Sequence, residues 1–288
     1  MSKQDTIISL LKEIDKNIDN IGGGGTVSKV KVNTLKVTDA CINDDGRWGG
    51  ESLVDFSECT SLNNAFSRLT KLKILDTTGW DLSKVTDFTS FIDNNKGLEK
   101  IIGIKDWDTS SATTFSTFGR SAQFVDIDID LRKWNVSNVL NLGGFFTFAT
   151  SGRLNIENWD TKKVTNFGGF LYAAAGVTWV NMVGTSAISC TAFSNALSYV
   201  GTNTLVGDYS IDDVINNNLK VLDGAKVNIN ITSAYVTNLN RASLRALING
   251  LADLTGSDAK TFTIGEINIA KLTEEDIAIA TAKNWTIA

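Results

Sequence analysis

The chain has 288 residues, 42% of them hydrophobic, with 27 Lys and Arg against 32 Asp and Glu for a formal net charge of −5. That composition can close a large core, no window approaches the apolar length of a membrane span, and the acidic balance argues against a nucleic-acid partner, whose phosphates need clustered basic residues. Histidine and proline are both absent, which removes the commonest general base and any Ser-His or Cys-His nucleophile, so the composition points away from an enzyme and no catalytic residue, metal site or cofactor is expected.

Residues 1–21 open without a secretion-type apolar run, so unaided export is not expected. They carry a heptad seam of Ile7, Leu11, Ile14, Ile18 and Ile21. Leu11 and Ile18 fall at a positions and the three isoleucines at d, a choice that disfavours parallel dimers and favours trimers or tetramers. The spacing predicts a coiled-coil helix for oligomerisation and anchoring; one amphipathic helix docked on its own domain is the plainer alternative. Gly22, Gly23, Gly24 and Gly25 end that helix, and residues 22–26 read as a flexible hinge. A phosphate-binding loop is not indicated, because no Gly-Lys-Ser/Thr follows the glycines. The alternation from Val27 to Asn33 and again at Leu35 to Val37 makes 27–58 a strand-rich collar or N-terminal cap.

Residues 59–204 are repetitive. The phrase Trp80-Asp81-Leu82-Ser83-Lys84-Val85-Thr86-Asp87-Phe88 returns from Trp107, Trp134 and Trp159, with Phe91, Phe118, Phe145 and Phe170 eleven residues after each Trp. Trp-to-Trp steps of 27, 27 and 25 residues are the signature of a solenoid, whose units bury their apolar faces only against their neighbours. The register extends back to Phe66 and on to Leu197, and Trp48 with Phe56 reads as a degenerate first copy. Alternating runs at 72–75, 98–102, 124–131 and 153–156 predict a short strand ahead of each Trp. After the Trp-Asp turn, Ser83, Ser110, Ser137 and Thr161 are candidate N-caps, and Val85, Phe88, Phe91 and Ile92 fall at helical spacing. Stacking would align Trp80, Trp107, Trp134 and Trp159, and likewise the four Phe, as interior columns; an exposed aromatic ladder for sugar or nucleic acid is the functional alternative.

Asp126, Asp128 and Asp130 alternate opposite Ile127, Ile129 and Leu131. Three carboxylates on one face could take Ca²⁺, but a solvated strand face is the expectation and no metal is assigned. Cys41, Cys59 and Cys190 lack zinc-ligand spacing and read as buried thiols. Residues 205–288 read as C-terminal repeats and a cap. They hold a capping-box form at Ser210 to Asp213, an alternating run from Val227 to Ile231, and a helix from Asn240 to Leu254 with Leu244, Leu247, Ile248 and Leu251 on one stripe. A strand at 261–265 follows, then a helix capped at Thr273 and running to about Lys283, and a closing Trp285-Thr286-Ile287.

The repeated phrase resembles the BspA-type leucine-rich repeat of Bacteroidetes and mycoplasma surface proteins, best at Val85-Thr86-Asp87-Phe88 and Val164-Thr165-Asn166-Phe167 and least at Leu140-Asn141-Leu142. The stretch from Leu247 to Gly256 and the ending at Asn284-Trp285-Thr286 are similar to the tails of such proteins in Bacteroides and their phages. The resemblance implies binding rather than catalysis and, with the heptad seam, an α/β repeat: a leucine-rich-repeat-like solenoid with an N-terminal coiled-coil helix. The missing export signal, the N-terminal anchor helix and the glycine hinge then favour a phage head or tail fibre, homotrimeric, made in the host cytoplasm. Its N-terminus would hold a capsid or tail protein, and its solenoid would meet a host surface protein or glycan. The alternative is a bacterial cell-surface adhesin whose export signal is missing from this chain. Neither nucleic acid nor membrane is an expected partner.

Overall fold

The computed structural model of the protein describes residues 29–49, 54–122, 128–148, 153–174, 179–181, 231–232, 241–251 and 253–288. The heptad seam, the four-glycine hinge, Asp126, Cys190, Leu197 and the 210–213 capping box lie outside them. The chain from Val30 forms a β-solenoid of about seven turns. One column of parallel strands comprises β2 (Arg47–Gly49), β4 (Ile74–Asp76) and β5 (Lys100–Ile102); a second set comprises β6 (Asp128–Asp130), β7 (Arg153–Asn155) and β8 (Trp179–Asn181). β1 (Val30–Lys31) pairs in parallel with β3 (Val54–Asp55). A further column of single parallel bridges runs through Thr34, Ser61, Asp87, Thr114, Asn141 and Asn166, fixing coils of 25 to 27 residues.

The arcs after each Trp contain no α-helix among the described residues, which corrects the helical expectation for the repeats. In the coil beginning at Asp87, the N–H groups of Phe88, Ser90, Ile92 and Asn94 donate one coil onward, to the carbonyls of Thr114, Ser116, Phe118 and Arg120 at 2.7–3.1 Å. Between them, Phe91 and Asp93 close turns onto the carbonyls of Phe88 and Ser90, both at 3.2 Å. A helix would direct its amides within the coil and leave nothing for the neighbour; alternation satisfies both the turn and the stack. The first of these turns carries its third residue at positive φ, as type II turns require. Those residues are Asn64, Ser90, Thr117, Gly144 and Gly169 in successive coils. Such turns also place every third residue inward, so Phe88 and Phe91 imitate a helical stripe. The proposed Ser83, Ser110, Ser137 and Thr161 caps are corrected likewise. It is Asp81, Asp108, Asn135 and Asp160 that accept, from the backbone N–H two residues on, at 3.0–3.4 Å. These are Asx turns, for which short acidic and amide side chains suffice.

Aligned coils stack like rings on like rings. Phe91, Phe118, Phe145 and Phe170 are fully buried and follow one another at 5.3–5.4 Å with planes 13–17° apart. Trp80, Trp107, Trp134 and Trp159 follow at 5.3–6.4 Å and 8–13°. Three of the four indole N–H groups are paired: Trp107 donates to Thr77 Oγ1, Trp134 to the Ile104 carbonyl and Trp159 to the Leu131 carbonyl, each one coil back at 2.8 Å, whereas the buried Trp80 N–H has no partner among the described residues. The Phe66 register is off by one residue. Because Ser61 pairs with Asp87, Ala65 lies in line with Phe91, and Phe66 falls in the neighbouring column with Ile92, Gly119, Phe146 and Leu171. In that column Gly119 makes room for a ring, since a Cβ there would meet Phe146 Cε1 at 2.4 Å. Trp48 is not a first copy of the Trp turn either; it is a strand residue of β2 opposite Leu75, while the Phe56 ring stacks on Trp80 at 4.3 Å. Cys59 aligns with Val85, Ala112, Val139 and Val164 as a small buried apolar group, and burial pushes its thiol up to about 11.

α-Helices occur among the described residues only near the C-terminus, together with a three-stranded parallel sheet of β9 (Ile231–Thr232), β10 (Lys260–Thr263) and β11 (Trp285–Ile287); the coils before them hold two single 3₁₀ turns, Asp39–Cys41 and Ile104–Asp106. α1 (Arg241–Gly250) buries Leu244, Leu247 and Ile248, stops short of the expected Leu254, and is followed by α2 (Glu266–Ile269) and α3 (Glu274–Ala282). Thr273 and Asp276 form a capping box at α3, and Lys283 Nζ donates to the Asn249 and Leu251 carbonyls at the end of α1. Asp276 is fully buried between Arg241 Nε at 2.7 Å and Arg245 Nη1 at 3.3 Å.

Truncating one ring breaks two neighbouring contacts in its column, so Phe118→Ala is expected to lower stability by about 3–5 kcal/mol, measured as the shift in urea midpoint. The hydrogen bond from Arg241 holds the Asp276 carboxyl down at about 2. Because a depressed carboxylate stabilises the fold above its unfolded pKa and loses that contribution as pH falls toward the folded value, the melting temperature is expected to drop between pH 4 and pH 2. Asp276→Asn should flatten this dependence.

Candidate ligand groove

A second left-handed corner follows the first in five successive coils. It is occupied by Arg68, Asn94, Ser121, Phe148 and Ala173, all with φ between 53° and 60°. Because coils stack in register, these five residues form a row along one edge of the solenoid. Arg68, Asn94, Ser121 and Phe148, with Asp93 and Arg120, line a shallow groove of about 460 Å³.

Two features of the row have no packing explanation. Left-handed corners favour Gly or Asn, and an L residue there costs roughly 1–2 kcal/mol; a bulky aromatic is an outlier. Phe148 nevertheless sits at φ 57° with 52% of its surface exposed, its ring edge-on to Tyr172 at 5.5 Å. At the other end, the Arg68 side chain is exposed and forms no ion pair within the described residues. Lys36 lies close by, donating to the Asn64 carbonyl at 2.6 Å and Ser67 Oγ at 3.0 Å; burial first, and then the Arg68 charge, lower its pKa. Between the ends, Arg120 grips the buried Asp93 through Nε at 3.0 Å and Nη2 at 3.1 Å, a bidentate pair that raises the Arg120 pKa. The groove therefore has an aromatic platform, a neutralised and rigid middle, and one uncompensated cation.

A second groove of about 400 Å³ is lined by Lys105, Asp106, Trp107, Asp108, Thr109, Lys133 and Asn135. Its Lys133 already bonds Asp106 at 3.2 Å, and its Trp107 is 4% exposed, so it offers no open ring. Asp130, from the triple-aspartate strand, is held by its own Arg132 at 2.7 and 2.9 Å. Among the described residues no cluster of His, Cys, Asp and Glu is placed to hold a metal, and no helix is long and apolar enough to cross a membrane. The repeat Trp and Phe residues lie inside the stack, with Trp80 partly buried at its open side.

The groove residues were not singled out by sequence reasoning. The available signal was Phe148, one aromatic beyond the Phe145-Phe146 pair, where the coils before it have Asn94 and Ser121; it becomes visible only once the corner register is known.

Residues 60–179 match the model of a family described as Mycoplasma protein of unknown function, DUF285. No curated protein and no solved structure matches the chain.

Phe148→Asn removes an exposed ring and supplies a residue that tolerates the left-handed corner, so it is expected to raise unfolding stability by up to about 1 kcal/mol. A urea titration showing a loss larger than that would mean the ring is a packing element.

Proposed function

We propose that this chain is an adhesion module rather than an enzyme: a phage virion fibre, on the head or the tail, that presents its solenoid to a host surface protein or glycan. The observation that carries this reading is the row of polar and aromatic side chains displayed along one edge of a stack held rigid by inter-coil bonds. The heptad seam of Ile7, Leu11, Ile14, Ile18 and Ile21 supplies the oligomer, with a trimer favoured. The glycines at 22–25 supply the joint between an anchor on a capsid or tail protein and the distal head. Assembly would take place in the host cytoplasm, and the virion would be the site of action.

A bacterial cell-surface adhesin is the second reading, favoured by the match to a family described from mycoplasma, which is cellular rather than viral. Both readings ask the solenoid to bind; they differ in what holds its other end.

Light scattering on a sizing column is expected to give a trimer of about 93 kDa from chains of 31.1 kDa, falling to a monomer when the chain starts at Thr26. The fluorescently labelled full chain is expected to decorate intact bacterial cells. A full-length monomer that decorates no cell would remove the support for this function.

A further inference from the structure

We infer that the corner groove is a binding site for a carboxylated oligosaccharide, an extended chain containing uronic or similar acidic sugars. The inference rests on the adhesion reading and assigns its chemistry to named residues.

The groove has the shape of an extended ligand. Its residues come from four successive coils, three steps of about 4.8 Å each, so it runs about 14 Å along the stack and is open at its surface. A single sugar ring would span only part of that length, whereas a short saccharide chain lying along the row would touch every coil. The chemistry along that length is graded. The exposed Phe148 face, edge-supported by Tyr172 at 5.5 Å, offers an apolar plate of the kind that receives the C–H face of a pyranose ring. Asn94 and Ser121, at the two corners between, carry an amide and a hydroxyl able both to donate to and to accept from sugar hydroxyls. Arg68 then presents an exposed guanidinium whose charge is not met by any carboxylate in the described residues, beside Lys36. A planar guanidinium matches a carboxylate in two-point geometry. The pair between Arg120 and Asp93 fixes the groove floor without consuming that charge. A neutral glycan would leave Arg68 without a partner. A peptide of acidic residues alone, such as polyglutamate, would satisfy Arg68 but has no flat apolar ring face for Phe148. The cost of holding Phe148 at positive φ is what a surface selected for binding, rather than for stability, would tolerate.

The test is calorimetric titration of the full chain with a galacturonate hexasaccharide, with neutral cellohexaose and with a polyglutamate peptide, together with the cell-decoration assay. The galacturonate hexamer is expected to bind, and cellohexaose to bind at least about tenfold more weakly, a difference of 1.4 kcal/mol. Arg68→Gln and Phe148→Asn should each weaken the hexamer at least about tenfold, while Leu140→Ser, which alters an exposed residue outside the groove, should leave it unchanged. Circular dichroism melting of each variant is the check that it is folded. Equal binding of cellohexaose, or no effect of Arg68→Gln, would overturn the carboxylate assignment. Equal binding of polyglutamate would make the occupant a peptide and overturn the saccharide. No binding of any probe, with cell decoration unaffected by Phe148→Asn, would overturn this site while leaving adhesion standing elsewhere on the surface. Failure of decoration by the unmodified chain would remove adhesion itself, and this inference with it.

Discussion

Backbone amides along the solenoid arcs are satisfied alternately by their own coil and by the next. In the arcs through Phe88 to Asn94 and Phe115 to Ser121, every second N–H closes a tight turn and every other N–H reaches one coil onward. That alternation fixes the separation of coils, and the separation fixes what can lie inside. Identical rings one coil apart fall at 5.3–5.4 Å in the Phe column, a spacing at which offset stacking is favourable. A helix in the same place would be thicker than the rise of a coil and would prise the columns apart. The turns, the ring columns and the indole bonds that reach one coil back are therefore consequences of one register.

The same register turns small sequence differences into surface features. A residue at the second left-handed corner has no partner within its own coil, so its side chain is free to vary, and the stack lines the variants up. Arg68, Asn94, Ser121, Phe148 and Ala173 are thus five unrelated residue types in one row. Several ion pairs obey the same rule: Lys84 meets Glu58, Lys133 meets Asp106 and Arg120 meets Asp93, each one coil apart, while Arg132 and Asp130 pair within one coil. Interior positions tolerate little of this freedom, as the space that Gly119 leaves for Phe146 illustrates.

Much of this was legible in the chain itself. The repeat period followed from Trp80, Trp107, Trp134 and Trp159, and the strands β4, β5 and β7 from the alternating runs before them. The helix within each repeat was misread because successive three-residue turns place Phe88 and Phe91 inward much as a helix would, and periodicity over so short an arc does not separate the two. Phe66 was placed one residue out of line because it lies 25 residues before Phe91 while the coil from Ser61 to Asp87 is 26 residues long, and aromatic identity is a weaker guide to register than backbone pairing. The groove was illegible for a related reason. Phe148 looks like one more core aromatic until the corner it occupies is known to face outward, and Arg68, Asn94 and Ser121 share no motif, only a position. The α/β character inferred for the whole array belongs to the C-terminal segment, where Thr273 and Asp276 announce a helix cap by sequence alone.

The solenoid arcs are bonded alternately within and between coils rather than as helices. Residue-resolved amide hydrogen exchange tests it directly. The account predicts that Ser90, Ile92, Thr117, Gly119 and Ser121, whose amides all donate to the next coil, exchange as slowly as the strand amides of β4 and β5 and lose protection together as the stack opens. Rapid exchange at Ser90 and Thr117 beside protected strands would contradict it, because those amides would then have no partner in the coil above.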